Sequence, residues 1–492
     1  MPIKLTIPAG SSFDAGTESA VIAEVTPDDV GWIPDTVNWR ITDGDAAVLQ
    51  ETKTAVNAYA SSHYAFVMIL FNKTGSVTLE VGYDADGDHA AASDSCSYRG
   101  EEVVLDNRLF LSPPFAEAVW DNKFDQANDA LFMRLCVKLR KSDGSPLPNH
   151  VVYATFNPMV VKLFDANSPH AVANPIIDPS NYGYVLVSDS GGIAQLRVGC
   201  NEPTVGSFTV SAAGDTFPQY YAFLDSDPKA PALQAPTGPT NGLGIPENRP
   251  YFTAYLPPPG PDNAMRQYLG VFWLEGKSTD GLKPAMIGRI GDLADFGQDF
   301  PYYYLANDGS TKNKMGYVFQ RGNNAQESKV LNFTATGAAM VVPDPRSDRH
   351  LDPPVVSPDI INMPVMEDNN AHVTLTVPKF PPDKGFENVN YDVKVIVYLN
   401  GWEEETGKPK RKILRLAQGE AKAPSQDKVI TLNKDDLRHY AGQPAPGTSD
   451  GLLFAEYHVT NMETLLVRYS KILGMYDPRV YLDTAYKGAR DK

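Results

Sequence analysis

Apolar and polar positions alternate along much of this chain, the period of two expected of strands with one buried face. In Leu131-Phe-Met-Arg-Leu-Cys-Val-Lys-Leu139, residues Met133, Leu135, Val137 and Leu139 alternate with Arg134, Cys136 and Lys138. The next residues, Lys141-Ser-Asp-Gly-Ser-Pro-Leu-Pro-Asn149, read as a turn. Asp143 and Gly144 tolerate a left-handed backbone there, and Pro146 and Pro148 stiffen the backbone leading into the next strand. Val151-Val-Tyr-Ala-Thr-Phe156, Ile193-Ala-Gln-Leu-Arg-Val198 and Gly206-Ser-Phe-Thr-Val-Ser-Ala-Ala213 complete a set of strands. Ser188-Asp-Ser-Gly-Gly192 is the turn that feeds the strand beginning at Ile193.

The same texture recurs on either side. Val37-Asn-Trp-Arg-Ile41, Ala65-Phe-Val-Met-Ile-Leu-Phe71 and Gly75-Ser-Val-Thr-Leu-Glu-Val81 predict a first β unit over residues 1–100, with Trp39 as a core plug. A second unit covers 102–225. After a segment rich in proline, glycine and alanine (225–244), expected to be extended or loosely ordered, a third β-rich unit over 245–344 carries Gln267-Tyr-Leu-Gly-Val-Phe-Trp-Leu274 and Met315-Gly-Tyr-Val-Phe319. A proline-rich join, Val342 to Pro358, precedes a fourth unit over 350–492, with Tyr391-Asp-Val-Lys-Val-Ile-Val-Tyr-Leu-Asn-Gly-Trp402 and Leu452-Leu-Phe-Ala-Glu-Tyr-His-Val459. A short helix is expected after Asn433, with Asn433 as cap and Gly442 as terminator.

Three signals in the second unit, D-G-x-P-L-P-x-x-V-x-Y, S-D-S-G-G-x-A-x-L and G-x-F-T-V-x-A, come in the order that marks successive strands in the bacterial immunoglobulin-like repeats of the invasin and intimin adhesins. The likeness covers about one domain, roughly 102–225. The V-x-W strand and turn of the first unit resemble another bacterial immunoglobulin-like subtype, and the fourth resembles carboxy-terminal repeats of large bacterial surface proteins. The resemblance implies an all-β chain of tandem immunoglobulin-like β-sandwiches, arranged as an elongated rod because proline-rich links limit bending. It implies a non-enzymatic binding or adhesion role, with loops presented to a protein or glycan receptor at the cell surface or outside the cell. No binding residue of that family is carried over, because none lies in the matched motifs.

Composition narrows the partners. At 492 residues the chain is too long for one core. Its 40 prolines and 38 glycines suit short strands joined by turns. With 43 basic and 60 acidic residues the net charge is −17, which repels phosphate backbones and argues against nucleic acid. No apolar run reaches the ~20 residues of a membrane-spanning helix. The start, Met-Pro-Ile-Lys-Leu-Thr-Ile-Pro-Ala-Gly, has no apolar signal core, so export by a cleaved signal is not indicated. That suits a second reading, a scaffold or receptor-binding component of a larger secreted toxin or effector assembly. The three cysteines cannot all pair within the chain. Cys136 and Cys200 have the separation of an inter-sheet bridge, but Cys136 falls on the more polar side of its strand, and unpaired thiols are the simpler reading.

Catalytic motifs are missing. The eight histidines (63, 89, 150, 170, 350, 372, 439 and 458) show no H-E-x-x-H spacing, and no nucleophile elbow, phosphate-binding loop or dinucleotide fingerprint occurs. Ser190 reads as a turn serine. Asp292, Asp295 and Asp299 could support a carbohydrate-active site, although loop solvation explains them more simply. No cofactor is expected beyond calcium: Asp84, Asp86 and Asp88 alternate as in some calcium loops, but His89 stands where the sharp-turn glycine would, and Ser95 where a bidentate glutamate would. Binding candidates are Tyr302, Tyr303 and Tyr304, near a proline, and Trp402 beside Glu403-Glu-Glu405. The basic run Lys408-Pro-Lys-Arg-Lys-Ile-Leu-Arg415 is read as a solvated rim, with a polyanion site as the alternative.

Overall fold

The computed structural model describes residues 3–28, 31–59, 62–85, 90–105, 111–120, 123–125, 127–158, 160–165, 183–212, 215–246, 249–258, 262–277, 282–284, 287–322, 324–344, 349–379, 390–403, 405–422, 427–442, 451–462, 467–474 and 479–484. The chain is all-β and falls into two compact units: Met1–Glu202 with Gly206–Phe223, and Pro203–Val205 with Leu224–Lys492.

The first unit holds two sandwiches. In one, a sheet ordered Ile3–Leu5, Glu18–Val25, Ser62–Phe71, Ala47–Leu49 faces a sheet ordered Ser12–Asp14, Ala92–Glu101, Gly75–Tyr83, Thr36–Asp43, Lys53–Ala55. Trp39 plugs the core between them at 1% exposure, its indole N–H donating to Thr54 Oγ1 at 2.7 Å. In the other, Val103–Leu105, Met133–Lys141, Ile193–Gly199 and Lys162–Asp165 face Phe115–Glu117, Asp215–Leu224, Thr204–Ala212, Val151–Asn157 and Tyr184–Val187. Met133, Leu135, Val137 and Leu139 enter the core as their spacing predicts.

The turns are built as their residues dictate. Asp143 Oδ1 accepts from the backbone and hydroxyl of Ser145, and these bonds hold its carboxyl below the usual range. Asp189 Oδ1 accepts from the Gly191 and Ile193 amides, so Ser190 is a turn residue. Gly192 sits at φ 76°, and a Cβ there would come within 2.4 Å of the Leu139 carbonyl oxygen, so no other residue fits.

The alternate face of Met133–Lys141 departs from expectation. Cys136 and Lys138 are 1% and 4% exposed, although alternation places them on the polar side of the strand. Phe132 and Phe164 pack edge-on at 5.3 Å, Phe124 lies 4.8 Å from Phe164, and the Arg197 guanidinium stacks 4.8 Å from the Phe132 ring centre. By parity Phe132, Phe164 and Arg197 share the outer face with Cys136, and Cys136 and Lys138 show that this face is covered. Cys136 and Cys200 are buried thiols that form no disulfide.

In the second unit, a six-stranded sheet is centred on Leu269–Glu275 and Asn313–Arg321, and the short pairs Leu243–Gly244 with Ala335–Thr336 and Tyr251–Ala254 with Gln298–Pro301 accompany it. The segment before it is tied down: Ala232 and Leu233 amides donate to Glu327 O, and Thr237 and Tyr255 exchange both backbone bonds. An eight-stranded sheet comes next, including Asn390–Glu403 between Pro409–Lys422 and Leu452–Asn461, packed on a three-stranded sheet of Val355–Ser357, Thr374–Val377 and Lys428–Thr431. Asn433 caps a helix as predicted, accepting from Asp435 N, but the helix is the single turn Lys434–Leu437. It stops before Gly442 because the chain turns into the bridge Tyr440–Ala441, with His439 at φ 61°.

Three strands are apolar on both faces, and each lies between two cores. In Val151–Asn157, Val152, Ala154 and Phe156 enter their own sandwich, whereas Val151 and Tyr153, with Val185 and Val187 of the adjacent strand, pack into the core of the first sandwich. In Asn390–Glu403, Val393, Val395, Val397 and Leu399 face one core while Ile396 and Tyr398 face another, with Met340, Val342 and Phe454. Leu452–Asn461 divides likewise: Leu453, Ala455, Tyr457 and Val459 on one side, Leu452 and Phe454 on the other. Burial on both faces is what an unbroken apolar run signals.

Candidate functional site

The residues singled out from sequence have separate settings. Tyr302 and Tyr304 are 7% and 6% exposed and belong to a core, with Tyr303 half-buried beside them. Tyr304 donates from its hydroxyl to Asp344 Oδ2 at 2.8 Å. Trp402 is 3% exposed, with the Arg411 guanidinium 5.6 Å from its ring centre. The basic run is engaged locally: Lys410 donates to the Arg438 and His439 carbonyls, and Lys412 pairs with Asp436 at 2.6 Å. Of the aspartates at 292, 295 and 299, Asp295 pairs with Arg266, and Asp299 accepts from Thr253 Oγ1 at 2.6 Å. Asp86 and Asp88 lie outside the described residues, as does Glu404. Asp84 is exposed and accepts from Asn38 Nδ2 at 3.5 Å.

Asp84 also borders a cleft of about 540 Å³ on the first sandwich, lined by Asn38, Arg40, Glu80, Gly82, Tyr83 and Ser93, among others. Pairing explains its shape. Asn38 lies opposite Gly82, which lies opposite Ser93 on the far side, and Arg40 lies opposite Glu80. Glu80, Gly82 and Asp84 alternate, so they share one face, and the glycine leaves a notch between two carboxylates. A methyl at Gly82 would come within 2.9 Å of Ser93 Cβ and the Ala92 carbonyl oxygen. Arg40 Nη2 holds Glu80 Oε1 at 2.7 Å. Tyr83 meets Trp32 edge-on at 5.9 Å, and burial together with the Asp28 charge raises its phenol.

Two buried polar arrangements join β elements within a unit, and neither shows in any local motif. In the first unit, Ser12 Oγ is 2.9 Å from His150 Nδ1, and His150 Nε2 is 3.1 Å from Asp14 Oδ1. Serine, imidazole and carboxylate in a chain is the arrangement that activates a nucleophile. Here Ser12 and His150 are both 0% exposed, so the hydroxyl does not reach a substrate. The chain instead fastens two sandwiches: Ser12 N donates to Asn149 O at 2.8 Å, and the Tyr153 hydroxyl donates to Ala20 O at 2.7 Å.

In the second unit, Glu456 is 3% exposed. Tyr398 donates to its Oε1 at 2.6 Å, Arg349 Nη1 lies 2.7 Å from its Oε2, and His458 Nε2 is 3.4 Å away. Burial alone would raise this carboxyl, but the nearby His458 imidazole, the Arg349 charge and the Tyr398 hydroxyl together hold it below its ordinary value. Farther along the strand that carries Tyr398, Asn400 exchanges two hydrogen bonds with the backbone of Val341, at 2.8 and 2.7 Å. The amide thus replaces a strand partner.

No helix among the described residues is long and apolar enough to cross a membrane, and no group of three or more metal-ligating side chains occurs among them. No family model matches the chain, and no curated protein matches it in sequence. Solved structures do match. The D0-D1 domain of intimin is 16% identical, covering 46% of this chain and 98% of its own, at a TM-score of 0.18. InvD of Yersinia pseudotuberculosis is 10% identical, covering 68% and 98%, at 0.18. Domains 4-9 of the surface layer protein SbsC are 9% identical, covering 99% and 83%, also at 0.18.

Proposed function

We propose that this chain is a non-enzymatic binding protein that displays immunoglobulin-like sandwiches to a protein or glycan receptor, at the cell surface or outside the cell. The observation that carries the reading is the use made of its buried polar groups. The Ser12–His150–Asp14 chain, which could have served chemistry, is sealed between two sandwiches, and Val151, Tyr153, Val185 and Val187 cross from one sandwich into the core of the other. A joint of this kind fixes the orientation of the loops on both sandwiches before a partner arrives, which lowers the ordering cost of binding. Catalysis gains nothing from it.

The test is location and binding together. Cytosol, envelope and medium of the producing cell are probed with an antibody to the chain, and the purified full chain is applied to cells and to a glycan array. Recovery in the envelope or medium with saturable binding is expected. Recovery as free cytosolic protein, with no binding to either, refutes the proposal.

A further inference from the structure

We infer that the cleft on the first sandwich receives a guanidinium group, presented by an arginine in a basic segment of a protein partner. The inference rests on the binding reading above and names the chemistry of one of its contacts. The notch at Gly82 is the starting point. It is flanked on one strand face by Glu80 and Asp84 and across the sheet by Asn38 and Ser93, so a side chain entering there meets acceptors on several sides. The two carboxylates are not equivalent. Glu80 is occupied by Arg40 at 2.7 Å, whereas among the described residues Asp84 has the long 3.5 Å contact from Asn38 alone and keeps its acceptor capacity for an incoming donor.

Charge and shape select the guest. Arg40 and Glu80 neutralise each other, leaving Asp84 as the uncompensated charge among the described residues of the lining, with Asp28 close enough to raise the neighbouring Tyr83 phenol. The whole chain, at −17, draws cationic partners and repels phosphate or acidic sugars. A neutral sugar ring would need an aromatic face to stack on, but Trp39 and Tyr83, the rings of the lining, are 1% and 6% exposed and turned into the core. A planar fork of five N–H donors matches a carboxylate bidentately and can also reach an amide oxygen and a hydroxyl, which an ammonium on a flexible stem does less well.

The probe is the tripeptide acetyl-Gly-Arg-Gly-amide, with Lys and Gln counterparts and a methyl hexoside, titrated against the full chain by ligand-observed NMR. The Arg peptide is expected to saturate, the Lys peptide to bind more weakly, and the Gln peptide and hexoside not to bind. Asp84→Asn should weaken the Arg peptide about tenfold, the effect of losing one charge-assisted contact. Glu80→Gln, which frees Arg40 to repel the guest, should also weaken it. Glu367→Gln, which removes the same charge at an exposed position elsewhere, should leave binding unchanged. Equal loss in Glu367→Gln would reduce the effect to net charge and overturn the inference, as would hexoside binding or no binding of the Arg peptide. If the full chain binds cells or glycans while the Arg peptide does not, this inference fails and the binding reading stands.

Discussion

Replacing Glu456 by Gln in the second unit tests whether the buried network there holds the structure together. The side chain keeps its shape, but Arg349, only 11% exposed, loses the counter-charge 2.7 Å away, and an amide faces the Tyr398 hydroxyl and His458. Removing one partner of a buried ion pair costs about 3–5 kcal/mol, because the remaining charge stays desolvated. Glu456 lies in Leu452–Asn461, which pairs with Asn390–Glu403 over ten residues and sits between two cores, so the cost should appear as opening of that sheet. The assay is hydrogen exchange of the full chain with segment resolution. At tenfold per ~1.4 kcal/mol, exchange in Leu452–Asn461 and Asn390–Glu403 should speed up by about 100- to 4,000-fold, with residues 3–101 unchanged. The double variant Arg349→Met, Glu456→Met should recover most of the loss, since apolar groups of similar volume replace a buried pair at little net cost. Acceleration under about tenfold in Glu456→Gln, or a double variant as unstable as the single one, would refute the pairing argument.

The remaining predictions concern acid, the first joint and the thiols. Because the folded Glu456 carboxyl lies below its ordinary 4.5, its contribution is complete above that value and lost as pH falls through the depressed one. Acid unfolding followed by exchange should therefore begin in the second unit's eight-stranded sheet, and Glu456→Gln should flatten that dependence. His150→Ala empties a fully buried site and takes a partner from Ser12 and from Asp14, a loss of about 2–4 kcal/mol. Exchange should then rise in Ser12–Asp14 and Val151–Asn157 together, and a rise confined to one of them would show that the two are not joined there. Cys136 and Cys200, buried and in no disulfide, should react with a thiol reagent only on unfolding, after half-buried Cys96; labelling of Cys136 in the native chain at the rate of an exposed thiol would contradict the covered outer face of Met133–Lys141.

Most of the fold is legible in the sequence because a strand with one buried face writes its orientation into alternate residues. Met133, Leu135, Val137 and Leu139 enter the core as their spacing predicts, and the turns at Gly144 and Gly192 sit where their residues allow a left-handed backbone. Residue type misleads where a polar side chain is covered: Cys136 and Lys138 are buried on the face that alternation assigns to solvent, and alternation along one strand does not report what packs on its outer face. The joints show the same limit. Ser12 and Asp14 are separated from His150 by 138 and 136 positions, so no spacing motif could unite them. A signal is nonetheless present in the apolar residues around them. Val151-Val-Tyr-Ala-Thr-Phe156 and Leu452-Leu-Phe-Ala455 break the alternation, and a strand that is apolar on both faces must be covered on both. Each such run lies against a second core, and within each unit a buried polar residue stands in or beside it, His150 before Val151 and Glu456 after Ala455. Apolar burial brings the surfaces together without regard to direction; the hydrogen bonds of His150 and Glu456, which tolerate little misalignment, then set a single register for the joint.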